Sequence, residues 1–262
     1  KRGTKEYKEQ LNKQWNKMTI TKQPEMIIKP KNKEDIENII NACKEQKKQY
    51  TFRGRGHSIA GKSIEGEVVI DGMDMKDMEV KGETITISPG NTWNDIDKAL
   101  QIQGRYLVGG MVSTTGGIGL AIGGGIGWLS RKYGITAQYI EEMEVVMPPN
   151  ETHKKAYTIL LDKKKTIKEK ELFWAMAGTG RCFGIVTKMV LRTMKQEQQT
   201  IANLQVQYVL EEKEEKKRKE KCKELVERYA TFLKETKGEE YTAYAFVSQS
   251  VFIIQAICFT TF

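Results

Sequence analysis

Two histidines, four cysteines and five prolines are all that 262 residues hold of these types. The cysteines (Cys43, Cys182, Cys222, Cys258) stand far apart with no C-x-x-C pair, and the histidines are His57 and His153. Zinc sites draw on closely spaced Cys and His, so none is expected. Cys43, Cys222 and Cys258 sit in apolar patterns and read as buried thiols, which neither demand nor exclude an oxidising compartment. A long apolar run is also missing. The longest, Val251 to Phe259, is broken by Gln255 and falls far short of the roughly 20 residues that span a bilayer. No signal-peptide pattern is visible. The first residue is Lys1 rather than Met, so removal of an N-terminal segment stays open.

Charge of one sign does not dominate. The net charge of +9 comes from 43 Lys and Arg against 34 Asp and Glu, and the lysines alternate with glutamates, as from Glu211 to Glu224. Such mixed runs are solvated helix faces rather than the continuous basic patches that bind nucleic acid. The length gives room for one large domain or two modest ones, and a 39% hydrophobic content supports a packed core.

Glycine, by contrast, is concentrated. Arg53-Gly54-Arg55-Gly56-His57-Ser58 follows an apolar strand-like run, Tyr50 and Phe52. About fifty residues on, Gly109-Gly110-Met111-Val112-Ser113-Thr114-Thr115-Gly116-Gly117-Ile118-Gly119 continues through Gly123-Gly124-Gly125-Ile126-Gly127-Trp128. Glycine lets backbone N–H groups approach an anion closely and takes φ > 0 without strain. Two such loops suggest a ligand carrying phosphates, and the histidine inside the first suggests a covalent hold on it. The competing reading of His57 is a loop histidine with its hydrogen bonds satisfied.

Gly56 to Ser63 also matches the phosphate-loop pattern G-x-x-x-x-G-K-[ST]. That motif needs a helix to follow, whose N-terminus holds the phosphate. Here Gly66 comes three residues after Ser63, and the β-branched run Val68-Val69-Ile70 starts at once, which leaves no room for a helix. The dinucleotide pattern G-x-G-x-x-G likewise lacks its βαβ surroundings around Gly117 to Gly125.

Periodicity places the remaining elements. Residues 1–20 read as a basic, polar arm lying on the domain, with Tyr7 and Trp15 as its aromatics. Ile27-Ile28 is a short strand. Asn32 caps a helix carrying Ile36, Ile39, Ile40 and Cys43. Strands follow at Tyr50–Arg53, Val68–Ile70 and Thr84–Ser88, and Asn91 is expected to cap a helix with Trp93, Ile96 and Leu100 on one face. Met143–Met147 is a strand, residues 148–170 read as a charged insertion, and Leu172–Met176 is a short helix. A third glycine turn, Gly178 to Gly184, leads into the strand Ile185–Leu191. A composition shift falls near residue 195. Beyond it come a strand (Ile201–Leu210), a long helix over 211–236 with Cys222, Leu225, Val226, Tyr229, Phe232 and Leu233 on one stripe, and a strand-rich stretch, Tyr241–Phe262. Its large apolar groups, among them Phe246, Phe252, Ile254, Ile257 and Phe259, predict a face that packs under further chain or a partner.

The order of these motifs resembles the FAD-binding, PCMH-type domain of the vanillyl-alcohol oxidase superfamily, specifically its berberine bridge enzyme-like branch. The family's R-G-G-G-H-S corresponds to Arg53–Ser58, its V-I-D to Val69-Ile70-Asp71, and its P-G-x-T-W to Pro89–Trp93. Its G-G-x-V-S-T-T-G…L-G-G-G-x-G-W-L-S-R-K-Y-G corresponds to Gly109–Gly134. Its L-F-W-A-x-x-G-x-G-x-x-F-G-I-V-T corresponds to Leu172–Thr187. The resemblance runs continuously over about residues 20–195, and five ordered motifs are far more specific than any one alone.

It implies an α+β fold. A two-subdomain PCMH-type FAD-binding domain would occupy residues 1–195, and the start of an antiparallel-sheet substrate domain, truncated, residues 196–262. The cofactor is FAD, with Arg53, Gly54, Arg55, Gly56, His57 and Ser58 around its pyrophosphate and His57 joined to the 8α-methyl of the flavin ring. Ser113, Thr114, Thr115, Gly116 and Gly119 would line the diphosphate and flavin. Gly184, Ile185 and Val186 would present backbone to the cofactor, or form no more than a buried strand start. Arg55 stands where the family has glycine, to contact phosphate or to point to solvent. Val112 replaces the cysteine of doubly linked members, so one attachment is expected. Leu120 replaces their histidine near the flavin's pyrimidine edge, and with Gly110 and Gly123 it completes the cofactor-facing set. The insertion at 148–170 and Arg181-Cys182 depart from the family pattern.

The implied activity is an oxidoreductase that passes a hydride from an alcohol, sugar or similar C–H donor to flavin. Small residues at Gly116 and Gly117 are permissive for an oxidase. The family's catalytic base lies in later sequence, so no residue here carries over to that role. The alternative is a catalytically incomplete relative serving as a structural or accessory subunit. Expected partners are FAD, a small-molecule substrate if the chain is active, and a protein partner or missing C-terminal half over residues 241–262. Neither nucleic acid nor a membrane span is expected.

Overall fold

Three short strands, Met26–Ile28 (β1), Tyr50–Arg53 (β2) and Val68–Asp71 (β3), pair in parallel in the order β1-β3-β2. This is a computed structural model, and it describes residues 2–164, 167–179, 182–196, 200–236, 240–248 and 250–260. All four residues of β3 are buried, as a central strand covered on both faces requires. Successive side chains on a strand point to opposite faces, and β3 uses both. Val69 packs with Tyr7 and Leu11 of a first helix, Lys5–Leu11 (α1), whereas Ile70 packs with Ile36 and Ile40 of Lys33–Glu45 (α2). The capping oxygen of Asn32 accepts from Asp35 N at 2.9 Å, as expected for α2. The N-terminal arm is thus partly helical and contributes to the core.

A second sheet has five antiparallel strands. These are Met78–Lys81 (β4), Thr84–Ile87 (β5), Ile140–Met147 (β7), Tyr157–Asp162 (β8) and Ile185–Arg192 (β9), in the order β4-β5-β9-β7-β8. α2 joins the two sheets, since Ile36 and Ile40 also pack with Val146 and Ile185. A two-stranded ribbon pairs Arg105–Tyr106 (β6) with Met194–Lys195 (β10). The helix Trp93–Ile102 (α3) buries Trp93, Ile96 and Leu100, and a short helix, Gly117–Ala121 (α4), follows in the second glycine region. Ile167–Thr179 (α6) precedes the third glycine turn, of which Gly180 and Arg181 lie outside the described residues.

Two expectations are corrected, and one strand is new. The cap of α3 is Thr92, not Asn91: Thr92 Oγ1 and Asp95 form a reciprocal capping box, while Asn91 Oδ1 accepts from Ser88 N and closes the preceding turn. Residues 148–170 are not a bare insertion, because they hold β8 and the start of α6. β8 was hidden by its charged flanks and by Leu160, which is exposed on this edge strand. β4, also an edge strand, has alternate residues exposed and little apolar signal.

These elements, residues 1–127 and 135–196, form one unit; residues 128–134 and 197–262 form a second. In the second, Thr200–Val209 (β11), Tyr241–Val247 (β12) and Val251–Thr260 (β13) make an antiparallel sheet in the order β11-β13-β12. The helix Glu215–Glu235 (α7) covers one face through Leu225, Cys222 and Tyr229 against Leu210, Phe252 and Ile254. Leu204, Tyr208, Val209, Phe246 and Val247 are exposed, whereas the side chain of Phe259 and all of Phe262 lie outside the described residues. The short helix Ser130–Tyr133 (α5) belongs here, with Arg131 stacked 4.5 Å from the Tyr241 ring and Trp128 edge-on to Tyr244. The fold class is α+β.

Candidate functional site

β2 feeds directly into the first glycine loop. Its last residue, Arg53, is fully buried and forms a two-pronged pair with Asp71 at the end of β3, Nη2 to Oδ2 at 2.6 Å and Nε to Oδ1 at 3.3 Å. Its Nη1 donates to the carbonyl of Gln10 at 2.9 Å. Of the residues read from sequence as a cofactor set, Arg53 therefore has its guanidinium satisfied inside the protein, where it anchors the loop. Asp71, which carries no ligand role in the sequence reading, is its partner because adjacent parallel strands bring residues 53 and 71 into register.

His57 sits half-buried four residues on. Thr114 Oγ1 lies 3.0 Å from Nε2 and Thr115 Oγ1 3.3 Å from Nδ1. The Trp15 indole stacks on one face, with centroids 5.6 Å apart and planes 24° from parallel. A hydroxyl can donate or accept, so the pair serves either tautomer of a neutral ring. Burial, and then the nearby charge of Arg55, hold the imidazole pKa below its ordinary value. Both effects favour the uncharged ring, whose lone-pair nitrogen accepts from one of the two hydroxyls.

The second loop is pinned to the start of α3. Trp93 N donates to Thr115 O at 2.9 Å, Asn94 N to Ser113 O at 3.0 Å and Gly117 N to Asn91 O at 3.0 Å. The two loops meet directly, since a Cβ on Gly116 would fall 2.9 Å from Arg55 Cγ. Gly127 folds back onto the same loop so tightly that a Cβ there would lie 1.7 Å from the carbonyl oxygen of Gly109, and no other residue fits. Gly110 faces Leu120 and Trp93, Gly119 faces open space, and Gly123 ends the turn after α4 by donating to Leu120 O at 3.1 Å.

Gly54 to His57 and Gly110 to Gly119 are therefore brought together. Ile185 and Val186 form a buried strand start, laddered to Val146 and Val145 on β7, and Gly184 precedes it, half-buried, so close to that strand that a Cβ would lie 2.7 Å from Val145 Cγ1. Ser58 turns its hydroxyl to Lys62 N at 3.0 Å, which closes a local turn. A single 3₁₀ turn, Lys62–Ile64, comes next, and after it β3. Lys62 Nζ pairs with Glu65. The phosphate-loop match thus lacks the helix that gives that motif its chemistry.

Sequence reasoning missed the part played by Gln14, Trp15 and Asn16. An indole within an otherwise polar arm was the available signal, but nothing in the spacing says that it lands on a histidine 42 positions later.

The sequence profile of the FAD binding domain family matches residues 24–156, just over half of the chain. The chain belongs to this family. Among curated relatives, an FAD-linked oxidoreductase of Dictyostelium discoideum is 29% identical over 194 residues, covering 73% of this chain and 40% of that one. An FAD-linked oxidoreductase of Bacillus subtilis is 27% identical over 191 residues, covering 71% and 41%. Among solved structures, aclacinomycin oxidoreductase superposes with a TM-score of 0.82 at 19% identity, over 97% of this chain and 55% of that one. A berberine bridge enzyme variant described as a reticuline dehydrogenase superposes with a TM-score of 0.80 at 18% identity, over 99% and 51%. The fold is that of the berberine bridge enzyme-like flavoproteins. The chain spans about 40% of the length of these curated relatives. Among the described residues no helix is long and apolar enough to cross a membrane.

The residues present suit this family's cofactor. Arg55 Nε is buried without a protein partner, as is Trp93 Nε1 beside Gly110. Buried donors of this kind carry a desolvation cost unless something accepts from them. An anionic dinucleotide between the loops would satisfy such donors, and the open side of Gly119 leaves it room.

Proposed function

We propose that this chain is the flavin-holding part of an FAD-dependent oxidoreductase that takes a hydride from an alcohol, sugar or similar C–H donor, with FAD joined covalently through His57. The observation that carries this reading is the His57 imidazole, held by threonine hydroxyls at both ring nitrogens, at the meeting point of two glycine loops. Gly54 to Ser58 and Ser113 to Gly119 would hold the diphosphate and flavin, and Arg55 would add a charge-assisted contact to phosphate. Residues 1–195 would be the FAD-binding domain and 196–262 part of a substrate domain. When bound, FAD supplies the two-electron acceptor, and the protein supplies binding, orientation and electrostatics. Val112 cannot form the second link of doubly attached members. No residue of this chain is assigned as the catalytic base.

The test is direct. Purified protein should be yellow and should stay yellow after denaturation and acid precipitation. His57→Ala should release the flavin on denaturation while the far-UV circular dichroism is unchanged. Colourless wild-type protein that takes up no FAD would remove the flavin reading. Yellow protein whose colour is lost on precipitation would remove only the covalent link.

A further inference from the structure

Residues 10–19 wrap the outer side of the His57 loop, and the cofactor reading makes no use of them. Trp15 N donates to Gly56 O at 3.0 Å, Gln14 Nε2 to Ser58 O at 3.3 Å and Asn16 Nδ2 to Ile59 O at 2.7 Å. Ser63 Oγ donates to Gln14 Oε1 at 3.0 Å. Gln14 is completely buried, which is unusual for this residue type. Gly56 takes φ +72°, and a Cβ on it would sit 3.2 Å from Gln14 Oε1 and 3.3 Å from Lys13 O. Three loop carbonyls in four residues are thus held by three consecutive residues of the strap, which carries the Trp15 indole over the imidazole.

The hydroxyls of Thr114 and Thr115 restrain the ring at its nitrogens, but hydroxyl contacts pivot easily. Bonding through one nitrogen gives up that nitrogen's hydroxyl, and the stacked plane then remains, with the other hydroxyl, to oppose rotation about the Cβ–Cγ bond. Trp15 is 52% exposed, and the imidazole covers part of its remaining surface. We propose that Trp15 is a positioning residue for His57: with Gln14 and Asn16 tying the loop, its indole keeps the imidazole plane from turning when one nitrogen gives up its threonine hydroxyl to bond the cofactor. This rests on the reading that His57 carries FAD.

The experiment uses the intact protein, prepared free of flavin and then given FAD in air: a nitrogen–carbon bond replaces the imidazole N–H and one C–H of the flavin's 8α-methyl, both protons go to solvent, and dissolved oxygen takes up the two electrons left on the flavin. Three quantities are followed in wild type, Trp15→Ala, Trp15→Phe and Trp15→Leu. They are total flavin bound, the rate at which flavin becomes acid-stable, and the His57 Cε1–H resonance by NMR. Trp15→Ala should bind FAD as wild type does but become acid-stable about 2- to 12-fold more slowly, the range expected on losing one aromatic pair. Its His57 resonance should move downfield as the indole ring current is lost. Trp15→Phe should restore most of the rate, and Trp15→Leu, which has bulk but no ring, should not. If Trp15→Ala fails to fold, the Phe and Leu variants still decide the question. A wild-type rate in Trp15→Ala or Trp15→Leu overturns this proposal and leaves the His57 link intact. Wild-type protein that never forms acid-stable flavin overturns the His57 link itself, and the proposal falls with it.

Discussion

Asp71→Asn keeps the shape of the side chain facing Arg53 and removes its charge. Both partners of this pair are completely buried. The carboxylate accepts from Arg53 Nη2 at 2.6 Å, from Arg53 Nε at 3.3 Å and from Met73 N at 3.3 Å. Asparagine keeps one acceptor oxygen and turns an NH2 toward a guanidinium, so two donors face each other where no water reaches. Leaving a buried charge without its partner costs about 3–5 kcal/mol, a large share of the roughly 5–15 kcal/mol that holds a domain folded. Urea denaturation followed by tryptophan fluorescence should show this loss as a lowered midpoint. The double change Arg53→Met with Asp71→Leu should recover at least half of it, because removing both charges also removes their desolvation. Arg53 leads straight into the His57 loop, so Asp71→Asn should also retain less flavin. A loss below about 1 kcal/mol, the value of an exposed pair, would refute the reasoning and mean that the guanidinium finds water.

Lys62→Ala should leave flavin content unchanged and alter stability by less than about 1 kcal/mol, because its partner Glu65 is a half-exposed surface contact; loss of nucleoside triphosphate binding in this variant would instead restore the phosphate-loop reading. Gly127→Ala forces a methyl into the Gly109 carbonyl and should cost about 1–3 kcal/mol, as overpacking does, together with flavin content; an unchanged melting temperature would show that Gly127 does not pack on Gly109. The lowered His57 pKa also fixes a sign. As pH falls through about 6.5, the unfolded chain takes up the proton first, so the folded state loses stability until its own lower pKa is passed. Measured on flavin-free protein from pH 7 to 5, His57→Gln should flatten this decline, and a decline equally steep in that variant would assign it to other groups.

Most of the candidate site was legible because it is written in contiguous residues. Glycine-dense runs have few physical uses, and the run flanking His57 lies next to an apolar strand, so local chemistry pointed to a phosphate-bearing ligand and to the histidine. The helices with i, i+3, i+4 stripes were legible for the same reason: Ile36, Ile40 and Cys43 are neighbours on one face of α2 whatever the rest of the chain does. The false phosphate loop could be set aside from sequence as well, since a β-branched run so soon after Ser63 excludes a helix. β4 and β8 were not legible, because an edge strand covered on one side carries half the apolar signal of a central one. Nor could sequence spacing say that residues 53 and 71 share a buried ion pair. Only the parallel register of β2 with β3 puts them side by side. The same holds for Trp15, Thr114 and Thr115, which reach one face and the two nitrogens of the His57 imidazole from the N-terminal strap and from a loop nearly 60 residues after that histidine. The amino-acid sequence by itself determined which loops are dense in glycine and that a histidine lies within the first of them, because backbone freedom and side-chain chemistry are local properties. The tertiary structure alone decided how that histidine is oriented, and that Arg53 serves the scaffold, because both depend on contacts that exist only once distant strands have paired.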